Sequence, residues 1–193
     1  LINRLVVSTD DTHILRICRK AGVECPYRRP KYLSGHDTRS IDVVLHMLEY
    51  LKRKENYCPD IVMLLQPTAP LRTEKHIDEA LKNLMASRAD AIVSLVPLTE
   101  PHPCKLKIIK ASRVAPYLRG KDSEIPRQLL PLVYRLNGAI YAAYTRKLYK
   151  FRSFLKGNVI PYVMHEEESI NIDRPIDIEY LKIVLNQNAK HRA

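Results

Sequence analysis

The sequence contains no tryptophan, only two phenylalanines and only five glycines in 193 residues. The absence of tryptophan and the scarcity of phenylalanine do not favour a stacking platform for single-stranded nucleic acid. The shortage of glycine argues against a glycine-rich phosphate loop, and neither a GxGxxG nor a P-loop pattern is present. No apolar run approaches the roughly 18 residues of a membrane span, so we expect no membrane partner.

Paired cysteine motifs are also missing. The four cysteines are isolated from one another, without the spacing of a zinc site or a redox dithiol. This isolation predicts reduced, mostly buried thiols in a cytoplasmic protein. The cysteines are Cys18, Cys25, Cys58 and Cys104.

Acidic residues are in the minority: 32 lysines and arginines against 21 aspartates and glutamates give a formal charge of +11. Such a charge predicts attraction to an anionic partner. A nucleic-acid-binding domain is one hypothesis, but the basic residues are scattered along the chain and form no single tract. A phosphorylated small molecule, or merely a basic solvated surface, fits equally well, and we expect no nucleic-acid partner.

The segment 60–72, DIVMLLQPTAPLR, combines an apolar run with a polar, proline-punctuated turn. An unbroken apolar run is typical of a buried central strand covered on both faces, as in a parallel sheet between helices. Ligands of such sheets bind beyond the carboxyl ends of the strands, where Gln66, Thr68 and Arg72 would lie. The alternative is a strand followed only by a helix N-terminus, with Thr73 as its cap.

Strand and helix patterns alternate over the first half of the chain. This β-α-β-α-β-α-β order predicts an α/β fold with a doubly wound, mostly parallel sheet. Residues 1–193 are expected to form one domain, and the proline-rich residues 97–135 an insertion on the sheet. The first helix is expected to turn one apolar face toward the sheet, formed by Ile14, Ile17, Cys18 and Ala21.

Five segments occur in a fixed order: VVSTDD, RRPKYLSGHDTRSIDVVLHML, LLQPTAPLR, RQLLPLVYRLNGAIY and INIDRPIDIEYL. Together they resemble the acylneuraminate cytidylyltransferases, which make CMP-sialic acid and related activated nonulosonic acids. The resemblance implies attack of the sugar acid's anomeric hydroxyl on the α-phosphate of CTP, release of pyrophosphate, and Mg²⁺ as cofactor. It also implies a Rossmann-like nucleotidyltransferase fold and a homodimer formed through the insertion.

The resemblance assigns the nucleotide and part of the sugar site. Arg29 and Ser40 match positions that line the cytidine pocket, although a loop arginine and a helix-capping hydroxyl at the surface are the ordinary alternatives. Gln66 and Thr68 match the loop on the sugar side. A glutamine at the end of a strand otherwise satisfies backbone groups.

Three further residues match sugar-binding positions. Tyr141 matches a residue that contacts the sugar, and Asn137 a pocket position beside it, whereas core packing and a turn are their alternatives. Arg127 matches a catalytic-site arginine that recognises the sugar carboxylate, for which its planar fork is suited. Because Arg127 lies in the insertion, the resemblance places it within reach of a partner subunit's site. An ordinary surface arginine is the alternative.

Asn171 and Asp173 match an Asp-x-Asp pair that holds Mg²⁺ in the family. Residues two apart in extended backbone point the same way, and Mg²⁺ takes hard oxygen ligands, often only one or two carboxylates. The first carboxylate of the pair is an asparagine here, which brings an amide oxygen but no charge. Asp173 is therefore the main predicted metal ligand and catalytic residue, with Asn171 beside it.

The resemblance begins at the family's second strand. The first strand and a glycine-, lysine- and arginine-rich loop that cradles the CTP phosphates, about forty residues for such a unit, have no counterpart here. We therefore expect an N-terminally truncated chain without measurable turnover. Three functions stay open: this cytidylyltransferase, a nucleotidyltransferase for another sugar acid, and a remnant that binds nucleotide or sugar acid without catalysis.

Overall fold

A computed structural model describes residues 1–118 and 124–190 of the chain. It contains five α-helices and six strands in these described ranges. None of these helices is both long and apolar enough to cross a bilayer. In chain order the elements are α1 (Thr12–Lys20), α2 (Ser40–Glu55), β1 (Ile61–Leu64), α3 (Glu74–Ala86), β2 (Ala91–Pro97), β3 (Lys107–Lys110), β4 (Arg113–Pro116), β5 (Tyr134–Tyr144), α4 (Thr145–Phe151), β6 (Val159–Val163) and α5 (Pro175–Lys190).

Four strands form the main sheet in the order β1-β5-β2-β6. β5 runs antiparallel to β1, with Leu64 opposite Tyr141 at one end of the ladder. Backbone hydrogen bonds also pair β2 with β5 in opposite directions and β2 with β6 in the same direction. Three of the four strands therefore share one direction, and the predicted α/β fold with a mostly parallel sheet is confirmed.

The prediction that β1 is buried at the centre of the sheet is wrong. Within the described sheet β1 stands at one end of the strand order, and all four of its residues are half-buried. The apolar run identified the strand correctly but could not locate it, because strand order depends on pairing between distant segments. The polar turn after the strand is where the sequence predicts it.

The helix that follows this turn begins at Glu74, and Thr73 is its N-cap as predicted. The Thr73 side chain accepts a hydrogen bond from the backbone N–H of His76 at 3.4 Å, and His76 Nδ1 accepts one from the Thr73 N–H at 3.2 Å. This reciprocal capping box fixes the point where the loop of residues 65–72 ends and α3 starts.

The chain divides into two compact units. The first unit contains Leu1–Leu64, Thr73–Val93 and Ile140–Ile160. The second contains Leu65–Arg72, Ser94–Ala139 and the residues from Pro161 onward. The boundaries fall inside β2, β5 and β6, so the units are not separated by a single linker. The prediction of one domain with an inserted segment stays a prediction.

Each unit has its own apolar core. In the first unit α2, α3 and α4 contribute buried apolar side chains, and Ile92 and Ile140 of the strands are fully buried. In the second unit the core includes Val96, Ala139 and Met164, together with Ile170 and Val184. The buried helix side chains of the first unit are Ile41, Leu45, Leu48, Leu51, Ala80, Leu81, Leu84 and Leu148.

The predicted apolar face of α1 is not buried. Ile14 and Ile17 are 45% and 52% exposed, and Leu15 is the helix residue that enters the core. The predicted burial of the cysteines is also wrong, because Cys58 is exposed and the other three are half-buried, all as free thiols. Helical spacing identifies which residues share a face, but burial also requires an apolar surface opposite.

The segment 97–135 contains a separate two-stranded sheet. Strands β3 and β4 pair antiparallel, with Lys107 opposite Pro116 and Lys110 opposite Arg113. The hairpin exposes Ile109 by 80% and Val114 by 73%. Exposed apolar side chains of this size on a short, otherwise isolated hairpin are typical of an interaction surface.

Candidate functional site

The loop of residues 65–72, which we call the sugar-side loop, carries three of the residues singled out in the sequence. Gln66 and Thr68 are half-buried in it, and Arg72 ends it. The Thr68 carbonyl accepts a hydrogen bond from the backbone N–H of Ile172 at 2.8 Å. This bond ties the sugar-side loop to the segment that holds Asn171 and Asp173, so the structure brings these predicted residues together in the second unit.

Gly138 lies next to the side-chain oxygens of Gln66 and Asn171, and we call it the floor of the site. Its φ of +75° lies in the left-handed region, and a Cβ there would come 2.9 Å from Gln66 Oε1 and 3.3 Å from Asn171 Oδ1. Two amide oxygens therefore converge on a space that only glycine leaves open. The sequence motif NGAIY placed a glycine beside Asn137, but only the structure reveals what approaches it.

Asn171 and Asp173 are neighbours, as their spacing predicts. Asn171 Nδ2 donates a hydrogen bond to Asp173 Oδ2 at 2.6 Å. Asn171 Oδ1 is buried and has no hydrogen-bond partner among the described residues, whereas Asp173 is exposed. A buried acceptor without a donor is unfavourable unless a ligand supplies the missing contact. The polar contacts of the Asn171 and Asp173 pair are therefore incomplete without a ligand.

Asp177 holds this pair from the start of α5. Its carboxylate accepts hydrogen bonds from the backbone N–H groups of Asp173 and Arg174, at 3.1 and 2.7 Å. The Arg174 side chain also bonds it, and this bond, followed by those from the backbone, lowers the pKa of Asp177. Asp177 thus stays ionised and fixes the backbone that presents Asp173.

These donors suit a magnesium ion better than a softer metal. The described residues contain no cluster of three histidine, cysteine, aspartate or glutamate side chains that could hold a metal alone. The Asn171 amide oxygen, which has no partner among the described residues, and the exposed Asp173 carboxylate, which accepts one bond from Asn171 Nδ2, supply two hard oxygen ligands. Mg²⁺ commonly takes its other ligands from phosphates and water. The residues present therefore fit a magnesium site completed by a nucleotide.

Asn137 is fully engaged inside the protein. It is 1% exposed; its Oδ1 accepts hydrogen bonds from Ser94 Oγ at 2.5 Å and from the Ala139 N–H at 3.2 Å. Its Nδ2 donates to Ser169 Oγ at 2.9 Å and contacts Met164 Sδ at 3.3 Å. In this structure Asn137 joins strands β2 and β5 to the segment before Asn171, which is a positioning role. Its predicted place in the pocket stays a prediction.

Arg127 lies in the insertion, where it is exposed. Its Nη1 forms an ion pair with Glu100 Oε1 at 2.5 Å, and both side chains are more than half exposed. The Glu100 carboxylate is thus already paired with the Arg127 guanidinium, which the family resemblance assigns to the sugar carboxylate. The geometry is thus compatible with carboxylate recognition by Arg127, which would require exchange of Glu100 for the ligand.

The predicted nucleotide residues lie in the first unit. Arg29 Nη2 pairs with Asp10 Oδ1 at 3.1 Å, and its Nε donates to Ser34 Oγ at 3.2 Å. The Arg29 bond is the main cause of a lowered pKa of Asp10. Ser40 is the exposed first residue of α2. Their assignment to a cytidine pocket stays a prediction.

Tyr141 also belongs to the first unit. It lies in β5, half-buried, with its ring centroid 6.0 Å from that of Phe154. Burial raises the pKa of the Tyr141 phenol, so the hydroxyl remains protonated over the physiological range. The hydroxyl can therefore donate a hydrogen bond, as a sugar-contacting residue must.

The contacts of one half-buried arginine were the least predictable feature of the site. Arg72 Nη1 donates to the carbonyl of Gln66 at 3.2 Å and to that of Ala139 at 2.7 Å. The LQPTAPLR motif pointed to Arg72 as a loop residue, but nothing in the sequence indicated that it bonds both the loop and the middle of β5. Sequence reasoning also missed Gly138 and the network around Asn137.

A known α/β nucleotidyltransferase shares this fold. The structure of a CMP:2-keto-3-deoxy-manno-octonic acid synthetase, solved in complex with CTP, superposes with a TM-score of 0.63 over 97% of this chain and 82% of that one. The sequence identity is 14%, so this likeness concerns the fold. The likeness therefore defines the fold class, which is α/β with a mostly parallel sheet.

A family profile makes the assignment narrower. The profile of the cytidylyltransferases matches residues 1–190, so the chain belongs to the cytidylyltransferase family. It is similar to the CMP-N,N'-diacetyllegionaminic acid synthase of Legionella pneumophila, with 31% identity over 90% of this chain and 74% of the relative. The resemblance found in the sequence is confirmed.

A second relative is longer. The N-acylneuraminate cytidylyltransferase of Streptococcus agalactiae is 29% identical over 88% of this chain, and the match spans 39% of that relative. The chain thus corresponds to about two fifths of the streptococcal protein.

Proposed function

We propose that this protein is a cytidylyltransferase that activates a nonulosonic acid with CTP. The anomeric hydroxyl oxygen of the sugar acid forms a bond to the α-phosphorus of CTP, the bond from that phosphorus to the β-phosphate oxygen breaks, and pyrophosphate leaves. The hydroxyl proton passes to solvent or a nearby base. The observation that carries the proposal is the convergence of Gln66 and Asn171 over Gly138, beside Asp173, in a chain of this family.

The sugar-side loop supplies contacts suited to a polyol. Gln66 offers an amide beside Gly138, and Thr68 offers a hydroxyl two residues further along the chain. We assign Tyr141 as a third hydrogen-bonding residue and Asn137 as the residue that positions Gly138 and the 169–173 segment. Side-chain amides and hydroxyls both donate and accept, which matches the hydroxyl groups of a sugar.

We assign Asp173 and Asn171 to Mg²⁺. When bound there, the ion would neutralise charge that develops on the phosphates during the transfer. The protein's own contribution is to hold a carboxylate and an amide oxygen in one place, through the Asn171 to Asp173 hydrogen bond and the Asp177 cap. Arg29 and Ser40 are assigned to the cytidine side, where Asp10 keeps the guanidinium of Arg29 fixed.

A homodimer formed through the insertion belongs to the same proposal. Leu129 and Leu132 are 72% and 68% exposed, in addition to Ile109 and Val114 of the hairpin. Burial of such residues against a second copy would remove a large apolar area from water. We also assign the protein to the cytoplasm, consistent with its four free thiols.

The activity itself is the first prediction. In a full-length form that carries the phosphate loop, pyrophosphate release from CTP with Mg²⁺ should require the sugar acid, and sialic and legionaminic acids are the substrates to compare. Residues 1–193 alone should show no measurable turnover. ATP, GTP and UTP in place of CTP are the nucleotide controls. Pyrophosphate release at the same rate without any sugar acid would contradict the proposal. Binding of CTP or sugar acid in calorimetry, with no release at all, would instead identify a binding protein without catalysis.

Arg127→Lys provides the second prediction. We expect weaker binding of the sugar acid by about 1–3 kcal/mol, because lysine keeps the charge but loses the two-pronged hydrogen bonding. Affinity for CTP should be nearly unchanged in calorimetry. Arg113→Lys, on an exposed strand of the hairpin, is the matched control. Glu100→Gln should bind the sugar acid at least as tightly as the wild type, because it frees Arg127. Equal losses for both substrates in Arg127→Lys would assign that residue a structural role.

A further inference from the structure

Arg72 lies where the ladder between β1 and β5 ends. The register pairs Ile61 with Tyr144 and Leu64 with Tyr141, so two residues further along Gln66 comes opposite Ala139. The backbone carbonyls of these two residues both accept from the same Arg72 nitrogen, at 3.2 and 2.7 Å. A side-chain cation thus connects the two chain segments just beyond the last paired residues.

The charge of Arg72 is unusual for such a structural connection. The side chain is half-buried, and among the described residues no carboxylate forms an ion pair with it. Burial without a counter-ion lowers the pKa of the Arg72 guanidinium. Arginine is seldom buried without an acidic partner, because carbonyl dipoles compensate its desolvation only in part. A role beyond filling space is therefore indicated.

The bond to Gln66 has a consequence for the floor of the site. The direction of a side chain follows from the orientation of its own backbone. The Gln66 carbonyl accepts from Arg72 Nη1 at 3.2 Å and from the Ala69 N–H at 3.3 Å, so among the described residues Arg72 supplies one of the two bonds that orient it. With the backbone so placed, the Gln66 amide oxygen lies over Gly138, close to the unpartnered oxygen of Asn171. If the Arg72 bond were lost, of the described donors only the Ala69 N–H would hold the Gln66 carbonyl, and we expect the Gln66 side chain to spend less time over Gly138.

We propose that Arg72 is a positioning residue that holds Gln66 over Gly138 in the orientation that receives the sugar acid. The inference rests on the proposed function, in which Gln66 contacts that substrate. Arg72 acts through Gln66 and does not itself touch the ligand. A merely structural arginine would stabilise the loop without any dependence on the Gln66 side chain.

A double-mutant cycle separates these roles. The variants are Arg72→Met, Gln66→Ala and the two combined, with the dissociation constant of sialic acid measured by calorimetry. Arg72→Met should weaken binding about tenfold, and the double variant should bind no more weakly than Gln66→Ala alone, since residues that act through one contact are not additive. Arg113→Met is the control and should bind as the wild type does. Losses that multiply in the double variant would overturn the inference, as would unchanged binding by Arg72→Met.

A second measurement needs no ligand. The side-chain amide of Gln66 in ¹⁵N-labelled protein, identified by its loss in Gln66→Ala, should give one pair of NMR signals that broadens or shifts in Arg72→Met. Signals that do not change would overturn the inference. If the wild type binds no sialic acid, the proposed function fails for this substrate, and the NMR result alone decides the role of Arg72. If Arg72→Met does not fold, Arg72→Lys is measured in the same two ways, since lysine cannot donate in the same planar geometry.

Discussion

In a full-length form that carries the phosphate loop, Asp173→Asn is expected to lower the rate of pyrophosphate release by about 100- to 1,000-fold, the range found when one group that stabilises transition-state charge is removed. The variant leaves two neutral amides at positions 171 and 173, so no charged ligand of the pair remains for Mg²⁺. The Mg²⁺ dependence of CTP binding should disappear with it. Titration of Mg²⁺ in the pyrophosphate assay and in calorimetry measures both effects.

Folding must be preserved for this result to carry meaning. Asp173 is exposed, and its backbone N–H, not its carboxylate, bonds to Asp177, so the thermal unfolding temperature should change little. Glu179→Gln, which alters an exposed carboxylate of α5, is the matched control and should keep full activity. Near-normal activity of Asp173→Asn would refute the metal assignment. A loss that parallels thermal unfolding would refute it too.

Asn171→Asp tests the same pair in the opposite direction. The substitution adds a hard anionic ligand, so half-maximal activity should need less Mg²⁺. It also replaces the hydrogen bond from Asn171 Nδ2 to Asp173 with repulsion between two carboxylates. Without Mg²⁺ the variant should therefore unfold at a lower temperature than the wild type, and Mg²⁺ should raise that temperature more than it does for the wild type.

Local patterns in the sequence predicted the parts of this fold that depend on neighbouring residues. The apolar run before Gln66 predicted a strand, and Thr73 marked the N-cap of the next helix. Asn171 and Asp173, two residues apart, do bring their side chains into contact. In each case the relevant interaction spans only a few residues, which is the range over which propensity and periodicity operate.

The same patterns could not predict contacts between segments that are far apart in the sequence. The position of β1 at the end of the strand order results from its pairing with β5, about 80 residues further along the chain. Ile14 and Ile17 share a face as predicted, yet they are exposed, because no described residue covers them. A repeat of apolar residues cannot tell whether a partner surface exists.

The hydrogen bonds inside the site could not be predicted from the sequence either. An asparagine before a glycine is compatible with a turn, a pocket or a core position, and burial of Asn137 at 1% exposure became visible only with its four partners in place. The same holds for Arg72, whose two carbonyl acceptors are separated by 73 residues, from 66 to 139. Hydrogen bonds of this kind depend on the completed fold.

Gly138→Ala is expected to reduce sugar-acid binding by more than about tenfold, which corresponds to at least 1.4 kcal/mol. The new methyl group would lie 2.9 Å from Gln66 Oε1, closer than such atoms approach, and 3.3 Å from Asn171 Oδ1, which is a tight contact. Gln66 is flexible at this end, so its amide would swing away, and the floor of the site would be filled by the methyl group. Calorimetry with sialic acid measures the loss.

Backbone strain must be separated from this steric effect. An alanine held at φ of +75° costs about 1–2 kcal/mol of stability whatever surrounds it. Gly22→Ala is the matched control, because Gly22 has a φ of +70° but no atom within 4 Å of the added Cβ. Both variants should unfold at similarly lowered temperatures, and only Gly138→Ala should lose affinity for the sugar acid. Equal binding by the two variants would show that the space over Gly138 is not part of the sugar site.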